Sequence, residues 1–77
     1  MKFCAKTFGE RLRHLRRAHS LEQIEFASIL ESTPHVIEMI ERGIHAPDSD
    51  LILNLYVHFK EDFHYLVTGQ QDPASES

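Results

Sequence analysis

Apolar residues recur along this chain at spacings of three and four, and nowhere in a sustained alternation of two. That period predicts amphipathic helices and no sheet. A first helix is expected from near Thr7, where Thr7 and Glu10 fit a capping box and Phe8, Leu12 and Leu15 share one face. Gly9 in its first turn costs about 1 kcal/mol relative to alanine, so close helix packing is expected there. A second helix is expected over about 22–30, with Phe26, Ala27 and Leu30 inward and Ile24 and Ile29 outward. The third has the clearest start: Thr33 as cap, Pro34 at the first helical position, Ile37 and Ile40 inward, and Gly43 as the stop. After the loop from Ile44 to Pro47, Asp48 caps a fourth helix that is apolar nearly all round. Asp62 is expected to cap a short fifth helix, with Phe63, Leu66 and Val67 inward and Gly69 at its end.

The second and third of these segments form the outline of a helix-turn-helix, whose second helix commonly enters the DNA major groove. The expected fold is all-α, a compact five-helix domain over 7–69. A short N-terminal arm (1–6) precedes it and a polar, disordered tail (70–77) follows.

Composition narrows the function. With 77 residues the chain holds a single core, and 42% hydrophobic against 26% charged is typical of a globular protein rather than a disordered one. No apolar run matches a membrane span and the first residues lack the apolar core of a leader, so no membrane role and a cytoplasmic location are expected. A single cysteine, Cys4, allows no internal disulfide and no cysteine zinc site.

Net charge is −4, but unevenly placed: residues 1–20 hold six basic residues against one glutamate, whereas the remainder holds two against eleven carboxylates. This division fits a basic face on a small body, and equally an acidic surface that repels phosphate. Six histidines raise the question of a metal. His14 and His19 are five apart, off one helical face, and no other pair is closer than six, so no metal or other cofactor is expected. Nor do the residues suggest a catalytic constellation, and no enzymatic activity is expected.

Taken in order, several segments resemble a known family. They are Phe-Gly-Glu-Arg-Leu-Arg-His-Leu-Arg at 8–16, Leu21 with Gln23, Phe26-Ala27, Ile37 with Ile40-Glu41-Arg42-Gly43, Pro47, and Phe-His-Tyr-Leu-Val-Thr-Gly at 63–69. The chain resembles the phage-repressor and Cro-like helix-turn-helix proteins, often called XRE-type. The resemblance implies a lambda-repressor-like domain that binds operator-like, pseudo-palindromic double-stranded DNA as a homodimer and regulates transcription, as a repressor in the simplest case. It implies that Gln23 bonds a phosphate and braces the recognition helix. Thr33, Pro34, His35, Val36 and Met39 would face the groove. Arg42 and the backbone of Ile44 and His45 would follow the sugar-phosphate edge. Arg16 and Glu41 would form an ion pair pinning the first helix to the third. Arg11, Arg13 and Arg17 are read as a solvated basic face.

The chain departs from that pattern at named positions. Ser20 and Glu31 stand where glycine is favoured, Glu22 where serine or threonine caps a helix, Ser32 where an apolar residue is usual, and Tyr56 where a small one is common. Ser20 and Gln23 could alternatively box an earlier start to the second helix. The apolar strip of Ile24, Ile29, Val36 and Met39, with the acidic second part of the chain, motivates a competing expectation. This is a helix-turn-helix reused as a protein-interaction adaptor or anti-regulator, with weak or no DNA binding.

Overall fold

The computed structural model describes residues 4–70. They form five helices: α1 (Ala5–Ala18), α2 (Gln23–Ile29), α3 (Pro34–Glu41), α4 (Ser49–His58) and α5 (Lys60–Thr68). No strand occurs among the described residues, so the fold is all-α. The tail from 71 onward and the first three residues of the expected arm lie outside the described residues.

α1 begins earlier than the sequence suggested. Cys4, in extended backbone, is its N-cap, and Thr7 sits inside the first turn rather than capping it. Alanine and lysine at 5 and 6 are good helix formers with nothing to stop them, so the helix extends back past Thr7 into the expected arm. The start of α2 is also resolved in favour of Glu22. Its backbone N–H donates to Glu25 Oε1 at 2.9 Å, a capping box two residues after the Ser20 alternative. α3 and α4 open as expected: Thr33 Oγ1 accepts from the Val36 N–H at 3.2 Å, and Asp48 Oδ1 from the Leu51 N–H at 2.8 Å.

Three helices end in the same way. After α1, the N–H of Leu21 reaches back to the carbonyl of Arg16 and that of Ser20 to Arg17. After α2, Ser32 reaches Ala27 and Glu31 reaches Ser28; after α3, Ile44 reaches Met39 and Gly43 reaches Ile40. These are Schellman closures, and each needs a left-handed residue. Gly43 supplies one at φ 78, but the other two are Ser20 at φ 57 and Glu31 at φ 55.

Phe8, Leu12 and Leu15 of α1 bury against Phe26, Ala27 and Leu30, Ile37 and Ile40, Leu51 and Leu55, Phe59 and Leu66. Each large side chain so buried contributes roughly 1.5–3 kcal/mol over its exposed state. Two expectations are corrected here. Ile29, expected outward, packs partly against this core, because three residues on from Phe26 it flanks that buried ring on the same side of α2. Val67, expected inward, is 44% exposed, since Leu66 occupies the inward position of that turn.

α4 and α5 are separated by the single residue Phe59, whose ring is buried edge-on to Phe26 at 5.4 Å between centroids. Phe59 is also the N-cap of α5, so Asp62 does not cap it. Asp62 Oδ2 instead lies 2.9 Å from His19 Nε2, joining the start of α5 to the end of α1. Arg11 is likewise not part of a freely solvated face. Its guanidinium donates to the carbonyls of Val67 at 3.2 Å and Leu66 at 3.4 Å, closing the end of α5. A Cβ on residue 69 would lie 2.6 Å from that guanidinium, which could swing aside, so Gly69 is favoured there chiefly by its φ of 78.

Candidate nucleic-acid interface

α3 presents one face to the core and the other to solvent. Ile37, Ile40 and Glu41 are buried, while Thr33, Pro34, His35, Val36 and Glu38 are exposed and Met39 is half-buried. Thr33 and Pro34 fix the first turn, and Gly43 fixes the last. The outward face is therefore set by the helix's own punctuation.

Its angle is set by a bracket of three side chains. Arg16 Nε donates to Glu41 Oε2 at 2.7 Å and Nη2 to Oε1 at 3.2 Å, a two-pronged pair. Arg16 Nη1 also donates to the carbonyl of Leu21 at 2.9 Å. Gln23 Nε2 donates to Glu41 Oε1 at 3.2 Å. Only 3% of the Glu41 side chain and 11% of the Arg16 side chain are exposed, so this carboxylate is held by hydrogen bonds rather than by water. Beside the bracket, a Cβ on residue 9 would overlap the carbonyl oxygen of Ile40, so α1 crosses the end of α3 in direct backbone contact.

The expected site residues fall into three groups. Thr33, Pro34, His35 and Val36 are exposed around the first turn of α3, and Met39 is half-buried one turn on from His35. Gln23 spends an amide N–H on Glu41, which makes it a brace from inside the fold. Arg42 and His45 are exposed beyond the end of α3, and Arg42 Nη1 lies 3.6 Å from Glu38 Oε1 one turn earlier. Such an exposed pair is worth about 0–1 kcal/mol, so it opens readily to another anion. The backbone expected along the phosphate edge is different: the N–H groups of Ile44 and His45 both point back to the carbonyl of Met39, at 3.0 and 3.3 Å. They close α3, and their hydrogens are committed to it.

The surroundings are mixed in charge and partly apolar. Ile24 is 64% exposed, Ile44 54% and Val36 37%, which leaves an apolar component on this side. Val36 and His45 share a shallow cleft with Glu31, Asp48 and Asp50. Elsewhere, two histidines serve the fold: His14 packs on the ring of Tyr65 at 5.6 Å, and His19 on Phe59 at 5.2 Å. Among the described residues no group of three or more histidine, cysteine, aspartate or glutamate side chains could hold a metal ion. No helix there is long and apolar enough to cross a membrane.

One contact that positions α3 is not among those the residue pattern predicts. Asn54 Nδ2 donates to the carbonyl of Leu30 at 3.0 Å, tying α4 to the corner between α2 and α3. Its signal was available: a lone amide in an otherwise apolar stretch, Leu-Ile-Leu-Asn-Leu-Tyr-Val, needs a partner. Comparison of the chain with family models, curated proteins and solved structures finds no match.

Proposed function

We propose that this chain is a sequence-specific DNA-binding regulator of the phage-repressor type, working as a small homodimer in the cytoplasm and most simply as a repressor. The observation that carries this reading is the outward face of α3, with His35, Val36 and Arg42 exposed and Met39 half-exposed while Arg16, Gln23 and Glu41 clamp the same helix from behind. His35 offers a donor or acceptor to base edges, Val36 and Met39 offer apolar contact to a thymine methyl, and Arg42 a cation to phosphate. A pair of such helices would enter successive major grooves about 34 Å apart. The exposed stripe of Leu53, Tyr56 and Val57 on α4 supports a second copy as the means of pairing them.

Selection from random duplexes tests the reading. An enriched, dyad-symmetric motif is expected, and His35→Ala should relax the preference at one position of each half-site. Absence of any enriched motif, together with no duplex binding at low salt, rejects it.

The second reading, a protein-interaction adaptor or anti-regulator, is favoured by Ile24 and Ile44, large apolar side chains that stand exposed on the same chain. Met39→Lys separates the two. It should raise general DNA affinity under the first reading and abolish capture of a protein partner under the second.

A further inference from the structure

The cleft that Val36 and His45 share with the acidic residues has a volume of about 330 Å³. It lies where the corner after α2, the first half of α3, the loop before α4 and the start of α4 meet. Its floor is apolar, made by Leu30, Ile40 and Leu51, all of them core residues. Its rim carries three carboxylates, Glu31, Asp48 and Asp50, and neither lysine nor arginine lines it. Neither Glu31 nor Asp50 makes a side-chain hydrogen bond or ion pair with any described residue. Asp48 uses one oxygen on the Leu51 N–H, and Asn54 uses its amide nitrogen on Leu30, which leaves its carbonyl oxygen as a further acceptor. The walls thus offer mostly hydrogen-bond acceptors around a greasy base, with the Ser32 hydroxyl and the His45 ring as the side chains that can also donate.

We propose that this cleft is a docking site for an arginine side chain presented by a basic segment of a partner protein. A guanidinium carries five N–H donors in a planar fork and accepts nothing, which matches an acceptor-rich rim. Its aliphatic stem would cover the floor while the charged head meets the carboxylates. The volume is at the bottom of the range for small-molecule pockets, which suits one long side chain better than a whole cofactor. The three carboxylates disfavour a nucleic-acid phosphate inside the cleft. This goes beyond the DNA-binding reading and does not depend on it. Because Val36 and His45 belong to both surfaces, a docked partner would hinder access to the outward face of α3.

The test is an amide-resolved NMR titration of the full chain with the peptide acetyl-Ala-Arg-Ala-amide and with its citrulline counterpart, which is nearly the same shape without the charge. The arginine peptide should give saturable shifts at Ser32, His45 and Asp50 and at the side-chain amide of Asn54, and the citrulline peptide should bind at least tenfold more weakly. The double change Glu31→Gln with Asp50→Asn should lose a similar factor. Ala46→Leu, which fills the cleft and leaves every charge in place, should do the same. Equal binding of the two peptides overturns the proposal, as does an unaffected Ala46→Leu protein. So do shifts of equal size around Glu22, Glu25 and Glu61, because the attraction would then be general. Duplex DNA shifting the cleft amides while the peptide leaves them still would also overturn it.

Discussion

Two corners of the fold run through a left-handed residue with a side chain: Ser20 at φ 57 and Glu31 at φ 55. For L-residues that conformation costs roughly 1–2 kcal/mol, and glycine avoids it at the expense of a more flexible unfolded chain. The balance favours glycine, so Ser20→Gly and Glu31→Gly should each stabilise the domain by about 0.5–1 kcal/mol. In a chain of this size that is a rise of several degrees in the thermal midpoint, measurable by circular dichroism. Gly43→Ala should act in the opposite direction. Its φ is 78, and a Cβ there would lie 2.8 Å from the Lys6 Cα. Both non-glycine corners could be noticed in the sequence only as departures from a family pattern. That they would still adopt the left-handed turn is a property of the closed helix ends and cannot be seen in the letters.

Cys4 carries a second consequence at this scale. Hydrogen bonds from the side chain and backbone of Thr7, with smaller help from Lys6, hold its exposed thiol below the ordinary cysteine range. Because the folded value is depressed, the associated stability is present above the unfolded pKa and is lost as pH falls through the folded one. Alkylation by iodoacetamide should therefore reach half its maximal rate at lower pH in the folded chain than in urea. Thr7→Val should move that midpoint up, and an unmoved midpoint would rule out Thr7 as the cause.

Among the elements, the contact between α1 and α3 governs what the outward face can do. Arg16→Met strands Glu41 in a buried site and should cost about 3–5 kcal/mol in urea unfolding. Replacing both, Arg16→Met with Glu41→Leu, should recover most of that stability, since apolar groups of similar size can substitute for a buried pair. DNA affinity should not return with it, because the two-pronged geometry that sets the helix angle is gone. Recovery of stability and affinity together would mean that the pair only supports folding.

The same elements show where sequence reasoning stops. Periodicity located all five helices, and the expected caps placed the starts of α3 and α4 but not those of α1 and α5. Where they worked the signal is local: Thr33 and Pro34 lie beside the helix they start, and Gly43 beside the one it ends. The resemblance brought Arg16 and Glu41 together. The contacts of Arg11 with Val67 and of Asn54 with Leu30 join a side chain to a backbone carbonyl far along the chain. Any residue has such a carbonyl, so no residue type marks the partner. The start of α5 was misplaced for a related reason: Asp62 has the chemistry of a cap, but the distant His19 claims it.

For the whole molecule, the exposed stripe on α4 and the scarcity of basic groups around α3 lead to two measurements. Leu53→Lys with Val57→Lys should convert a dimer to a monomer in sedimentation equilibrium while leaving the helical signal intact. Both residues are exposed in the single chain, so folding does not depend on them. A wild-type chain that is monomeric at working concentration would contradict the dimer. If duplex DNA is bound, log K should fall with log salt by about 0.9 for each phosphate neutralised. Arg42 is the one lysine or arginine among the proposed contact residues, so the slope should be shallow.

Glu41 is a hub where three helices are fastened to one carboxylate: α1 through Arg16, α2 through Gln23, and α3 through its own backbone. Tilting the protruding segment to suit a new target would mean breaking both fastenings at once in a place water barely reaches. Evolution or engineering should therefore retune this molecule by changing the letters on its rigid stylus at 35, 36, 39 and 42, and not by bending the arm that holds it.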